Sequence, residues 1–537
     1  MSLQRTDSIQ PVEEEDIEIE QPTAQNPNAP PDELFDISTT VDPSYVISLI
    51  RKLVPSTMNA SSDITTNGTL VSQSQDNFIQ NKCQTIDKQE GRDAADDVCN
   101  DRKAAVGDDA WEEHGCVLWD LATSRTHAQL MVENLILDVI LATLMVSQSP
   151  RVTEISLGIL GNLACHEALR KEIVSVKGLV ELVVDQLFVD DTPCLCEEFR
   201  LLTLCLQGSE GLTWAQALQP ENVLSRVLWV VENTMNPQLI EKSAGFLLTI
   251  SESQDDIRAN LLPHLLKLGL PAVLVNLLAF EISKLVGDER LPERYSVLET
   301  ILRVIEALTV IDSCSQELSS SKKLLHLLGT LIKFADKIEV ATSCVTAAVL
   351  TANLLSDFDD LILEIYQDLL FLQGLLDIFP FASDDIEARN ALWDIISRLL
   401  TQVQKGETSP SNLHQYTSIL ASKSDLIEEE LLDHQLAASS NNQENSIASC
   451  RNLQIRTAAL KRIDSILSQW LASKDQVGTT SFVMEYPVNE RDLDRLKDCC
   501  RKYSNAFGPS CIEGLEERQQ ALRAEQQTLI VHGRLGD

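Results

Sequence analysis

The sequence predicts an all-α chain folded as a right-handed solenoid of about seven stacked three-helix units. Three observations carry this expectation. A helical pattern recurs at about 43 residues: Pro150, Glu154 and Leu163, then Pro193, Glu197 and Leu206, then Pro237, Glu241 and Ile250. Hydrophobic residues make up 44% of the chain and aromatics only 5%, which suits aliphatic ridges between helices better than a β-sandwich. A period of this length also belongs to units that cannot bury an apolar face alone and must lean on their neighbours.

Taken in order, residues 1–42 carry Glu13, Glu14, Glu15 and Asp16 ahead of a Pro/Asn/Gln stretch and read as a disordered acidic tail. Residues 43–55 place Val46, Ile47, Ile50, Leu53 and Val54 at helical spacing, a short amphipathic helix stopped by Pro55. Residues 56–108 turn polar again, a disordered acidic linker. The repeats occupy 109–410. With Leu163 as the marker, equivalent positions fall at Leu121, Leu206, Ile250, Leu308, Leu354 and Leu399. The step from Ile250 to Leu308 is 58 residues, which assigns an insertion to Leu285–Arg294.

Within one unit, His166–Val176 makes a short first helix and Leu179–Phe188, after Gly178, the second. The third opens with Pro193 at its first position and runs through Leu206. Residues 411–470 stay helical without a marker and are expected to cap the array. Residues 471–537 read as a charged C-terminal helical tail, with Glu513–Gln526 an exposed helix.

Charge narrows the partners. Acids outnumber bases 81 to 43, a formal net charge of −38. Such a field repels nucleic acid and anionic headgroups and favours protein partners with basic segments. No stretch reaches the roughly 20 apolar residues of a membrane span, and the first residues lack the apolar core of a secretory signal. Six of the 13 cysteines (Cys165, Cys194, Cys196, Cys205, Cys314 and Cys344) fall in apolar helical pattern, so buried thiols in a reducing compartment are expected. The sequons at Asn59 and Asn67 are then chance matches. The expected location is the nucleus, the cytoplasm or both, as a monomer.

The order of short helix, glycine, apolar second helix and long third helix ending in Asn162, Leu163 and Ala164 resembles an armadillo repeat. A narrower likeness covers about residues 110–210. Val117, Trp119, Asp120 and Leu121, then Pro150 and Arg151, then Gly158, Gly161, Asn162 and Cys165 resemble the opening repeats of the serum-amyloid-A-like (SAAL) family. The resemblance implies a non-enzymatic armadillo-type interaction protein. Its animal members are associated with the nucleus and with promoting cell proliferation in inflamed tissue.

In armadillo proteins that carry basic peptides, the third helix presents a Trp and, four residues later, an Asn whose amide pairs with the peptide backbone. The positions equivalent to Gly158 and Asn162 are Cys116/Asp120, Leu201/Cys205, Gly245/Thr249, Arg303/Ala307, Val349/Asn353 and Asp394/Arg398. Asn stands at two of these seven places and Trp at none, which argues against importin-α-like cargo binding. One turn earlier lie Glu154, Glu197, Glu241 and Glu299. Either they form an acidic wall that attracts Lys and Arg, or each complements its own helix dipole, worth roughly 0.3–1 kcal/mol. The candidate partner-binding face is therefore Glu154, Gly158, Asn162, Glu197, Glu241, Thr249, Glu299 and Asn353. Gly158 and Gly161 either permit close helix packing or leave a shallow pocket.

No catalytic, metal or cofactor site is expected. The eight histidines are scattered, and neither Cys194 and Cys196 nor Cys499 and Cys500 has a second pair at zinc spacing. Cys165 and His166 diverge by about 100° if both are helical, a poor nucleophile–base pair. A regulatory subunit of a multi-protein enzyme is the alternative from another class.

Overall fold

A computed structural model describes residues 41–55, 97–287, 290–311, 316–318, 320–405, 410–440, 447–476 and 488–504. The acidic tail up to residue 40, residues 56–96 of the linker, Cys314 and Glu513–Gln526 lie outside the described residues. Among the described residues every regular element is helical and none is a strand.

Third helices form an unbroken row. In order they are Asp97–Leu121, Pro150–Cys165, Thr192–Leu206, Pro237–Glu252, Glu293–Thr309, Ala341–Asp357, Ile386–Lys405 and Ile447–Gln476, each packed on the one before. Three begin with the same chemistry. The side chains of Ser149, Asp191 and Asn236 accept from the amides of Val152, Cys194 and Leu239, with a proline in each first turn. Such caps contribute about 1 kcal/mol each and satisfy amides the helix cannot. Marker residues Leu163, Leu206, Ile250, Leu308, Leu354 and Leu399 are all buried, and Leu121 is half-buried.

Second helices (Ile136–Val146, Leu179–Asp185, Glu221–Asn233, Leu270–Val286, Lys322–Ile332 and Leu369–Leu376) lie in a parallel row, extended in the second unit by a 3-10 turn at Gln186–Phe188. The chain enters two of them through a left-handed residue, Gly178 (φ 86°) and Gly269 (φ 91°), where a side chain would strain the backbone. Leu135 (φ 66°) takes the same place in the first unit. Shared aliphatic core runs from unit to unit, joined by the Phe199–Phe246 ring pair at 5.6 Å.

Four boundaries differ from expectation. The first long helix of the array, expected near 109, begins earlier, at Asp97. The Pro43–Lys52 helix packs on it through Val46, Leu49, Ile50 and Leu53, and Trp111 Nε1 donates to the Leu53 carbonyl at 3.1 Å. The insertion is not confined to Leu285–Arg294: the second helix of that unit is 17 residues long, against 11 in the first unit. Arg294 ties the extension back, donating to both Glu281 carboxylate oxygens at 2.8 and 3.0 Å in a buried pair.

Residues 411–470 are more than a cap. Pro410–Ser422, Ser424–Ser440 and Ile447–Gln476 make a further three-helix unit. Its third helix has 30 residues against 16 in the first unit, so the period drifts and the marker is lost. The buried Arg389–Glu430 pair (3.1 Å) ties it to its predecessor. The expected C-terminal tail contains a docked helix, Glu490–Ser504, whose Leu493, Leu496, Cys500 and Tyr503 are buried. Charges on its other faces hide this stripe from average hydropathy. Cys165 is exposed rather than buried, because it ends its helix; Cys194, Cys196, Cys205 and Cys344 are buried.

Candidate partner-binding face

The expected face lies along the row of third helices, and its first units are occupied by the protein's own side chains. Trp119, on Asp97–Leu121, lays its ring over Gly158: a Cβ there would sit 2.2 Å from the indole. Asn162 donates through Nδ2 to the Trp119 carbonyl at 2.8 Å and accepts through Oδ1 from Arg200 Nη1 at 3.2 Å. Arg200 also donates to the Gly158 carbonyl (3.1 Å) and to Glu197 (2.7 Å), and it covers Gly161, where a Cβ would meet Nη2 at 2.5 Å. One guanidinium thus engages three acceptors, each charge-assisted. The amide that could pair with a peptide here pairs with neighbouring helices. His166 adds a bond of the same kind, Nε2 to the Ala122 carbonyl at 3.0 Å.

Glutamates along the row differ in their engagement. Glu154 pairs with Arg151 at 2.6 Å and Glu197 with Arg200 at 2.6 Å, both within their own helices. Glu299 accepts from Ser343 Oγ (3.0 Å) and Thr346 Oγ1 (2.9 Å) of the next third helix. Glu241 is half-buried and makes no hydrogen bond or ion pair among the described residues. In the second unit the half-exposed stripe is Glu197, Arg200 and Leu204, while Leu201 and Cys205, expected on the face, are core.

The third unit stands open. No atom lies within 4 Å of a Cβ built on Gly245, the equivalent of Gly158. One turn on, Thr249 lines a cavity of about 260 Å³ with Leu206, Gln207, Glu252, Ser253 and Gln254. Glu252 faces Arg303 of the next third helix at 3.4 Å. Asn353 is half-buried farther along the row, on Ala341–Asp357. The structure therefore gathers Glu154, Gly158, Asn162 and Glu197 into one closed cluster and Glu241 and Thr249 into one open stretch, while Glu299 and Asn353 belong to later units. Arg200 and Trp119 are the members that sequence reasoning missed. Their signal was separation: Trp119 to Asn162 is 43 residues and Gly158 to Arg200 is 42, one repeat period each.

Burial dominates the titratable groups. The Cys196 thiol is pushed up to about 11 and the Cys344 thiol to about 12 by desolvation, so both stay protonated and inert at neutral pH. Glu198 is fully buried with neither oxygen bonded, and desolvation raises its carboxyl well above the usual range. Among the described residues no three His, Cys, Asp or Glu side chains converge as metal ligands would.

No family model matches the chain. It is 30% identical over 137 residues to Protein SAAL1 of Homo sapiens, covering 25% of this chain and 29% of that protein. Against Protein saal1 of Danio rerio it is 27% identical over 241 residues, covering 43% and 50%. The match thus spans half or less of these relatives' length. Among solved structures, an engineered protein aligns at TM-score 0.45 and 14% identity, over 74% of this chain and 86% of that one. A designed armadillo repeat protein in complex with peptide (KR)4 aligns at TM-score 0.37 and 15% identity, over 45% and 94%. By sequence the chain is similar to the SAAL1 proteins, and its solved neighbours include armadillo-repeat proteins.

Proposed function

We propose that this chain is a non-enzymatic interaction scaffold of SAAL type that holds a basic segment of a protein partner on its third-helix row, at the third unit. The observation that carries this reading is the contrast between two glycines. Gly158 is roofed by Trp119, whereas Gly245 faces open space with Glu241 one turn before it and Thr249 and Glu252 after it. Glu241, without a hydrogen bond or ion pair among the described residues, and Glu252, in an exposed 3.4 Å pair with Arg303, attract Lys or Arg within a chain of net charge −38. An importin-α-like ladder is not favoured, because the Asn162 amide is already engaged on both sides. The reading includes work in the nucleus, the cytoplasm or both, and extends the family's support of proliferation to this chain.

The test is fluorescence anisotropy of a labelled Lys/Arg-rich peptide on the full chain. Glu241→Lys with Glu252→Lys is expected to weaken binding by about tenfold or more at low salt. Glu154→Lys is expected to change it little, since Glu154 is already paired with Arg151. Equal affinity for the double variant and the parent protein overturns the reading.

A further inference from the structure

The junction between second and third helices repeats a feature that the third-helix row does not share. In six successive units a large apolar side chain stands exposed two to five residues before the third helix begins: Val146, Phe188, Met235, Leu291, Ile338 and Phe381. Their exposure runs from 38% at Phe381 to 78% at Ile338. Scattered apolar residues are ordinary on any surface. Six at the same junction of six consecutive units, two to five residues ahead of the third helix, make a ribbon with one apolar step for each unit.

The junctions themselves are held in place. Arg226 donates to the Leu187 and Val189 carbonyls and pairs with Asp190 across the second and third units. Arg294 reaches the Met235 carbonyl, and Arg290 pairs with Asp336 of the following junction. Each tie crosses from one unit to the next, and together they join the junctions of the second to the fifth units.

Charge beside the ribbon is one-sided. Asp190, Glu232, Glu293, Glu339, Asp384 and Glu387 are exposed next to it. The exposed bases there, Arg151 and Arg290, are each paired with an acid. Neighbouring helices stack about 8–10 Å apart, and an α-helix rising 1.5 Å per residue brings every seventh residue round after about 10.5 Å. A helix laid along the edge can therefore set one apolar residue on each unit. An extended strand matches the same distance only at every third residue, which alternates faces.

We propose that this edge is a second docking surface, separate from the third-helix face, and that its occupant is a basic amphipathic helix of a partner protein with apolar residues at heptad spacing. The ribbon supplies the apolar steps, the exposed acids flank them, and the ties between junctions hold the register.

The experiment uses the full chain and a synthetic peptide of about four heptads, with Leu at every seventh position on an Ala/Lys background. Controls are a scrambled peptide of the same composition and one with Glu in place of Lys. The expected result is saturable binding of the heptad peptide alone. It should weaken about tenfold or more in a variant carrying Phe188→Ser, Met235→Ser, Ile338→Ser and Phe381→Ser, whose melting curve reports an intact fold. Equal binding of the scrambled peptide overturns the proposal, as does equal affinity of the variant. Loss of binding only with Glu241→Lys and Glu252→Lys also overturns it and places the peptide on the third-helix face. A concentration-dependent dimer in sedimentation that the serine substitutions abolish overturns it in favour of a second copy of this chain.

Discussion

Gly158 and Gly245 occupy the same position eight residues into equivalent third helices, and they do opposite things. Around Gly158 the missing side chain lets the Trp119 ring lie against the helix, and Asn162 and Arg200 lock three successive third helices together. Around Gly245 nothing among the described residues fills the space. A helix-interior glycine costs about 0.5–1 kcal/mol against alanine. At Gly158 packing offsets that cost, and at Gly245 no contact among the described residues does. One repeat pattern thus serves cohesion at one rung and leaves a vacant shelf two rungs on.

The sharpest way to break this comparison is to add one methyl group at each position. Gly158→Ala forces a Cβ into the indole and is expected to destabilise the fold by about 1–3 kcal/mol in denaturant unfolding. In a Trp119→Ala background the same change should cost less, since the two residues share one contact. A cost of equal size in both backgrounds would remove Trp119 as the reason for the glycine.

The helix between the two glycines supplies the next test. Glu198 is buried without partners and its carboxyl is raised by desolvation, so the folded state keeps a proton that the unfolded chain releases above the ordinary carboxylate value, about 4.3. Its contribution to stability therefore falls as pH rises through that value, and it keeps falling up to the folded pKa. Glu198→Gln is expected to raise the melting temperature at pH 7 by roughly 2–4 °C and to flatten the decline above the ordinary carboxylate value. Parallel pH profiles for the two proteins would contradict this.

The smallest expected effect completes the contrast. Gly245→Ala meets no neighbouring atom and should stabilise the chain by about 0.5–1 kcal/mol. If it destabilises as Gly158→Ala does, the shelf is not vacant and the two rungs are alike.

The unit plan was legible because burial imposes a spacing on apolar residues, and that spacing survives in Leu163, Leu206 and Ile250 without knowledge of any contact. Two kinds of feature were not. Facing residues slipped in the second unit because Thr192–Leu206 is capped at Asp191, leaving Pro193 one place deeper than Pro150 in its own helix. That one-residue offset turns Arg200 outward and Leu201 inward, a rotation of about 100°. Pairing was the other blind spot. A glutamate in the sequence does not say whether an arginine will claim it, as happens at Glu154 and Glu197 but not at Glu241. Asn162 and Arg398 each donate to a backbone carbonyl one period earlier, Trp119 and Leu355, because adjacent rungs touch at that separation.

The helix Glu490–Ser504 gives the array a built-in reporter of its own integrity. Its neighbouring thiols, Cys499 and Cys500, are shielded, and burial pushes them up to about 11 and about 12. While the helix stays seated, a thiol reagent finds neither a surface nor a thiolate to attack. Whenever the last rung frays, both become reactive together, so the rate of their labelling times how often the terminal end of the stack comes undone.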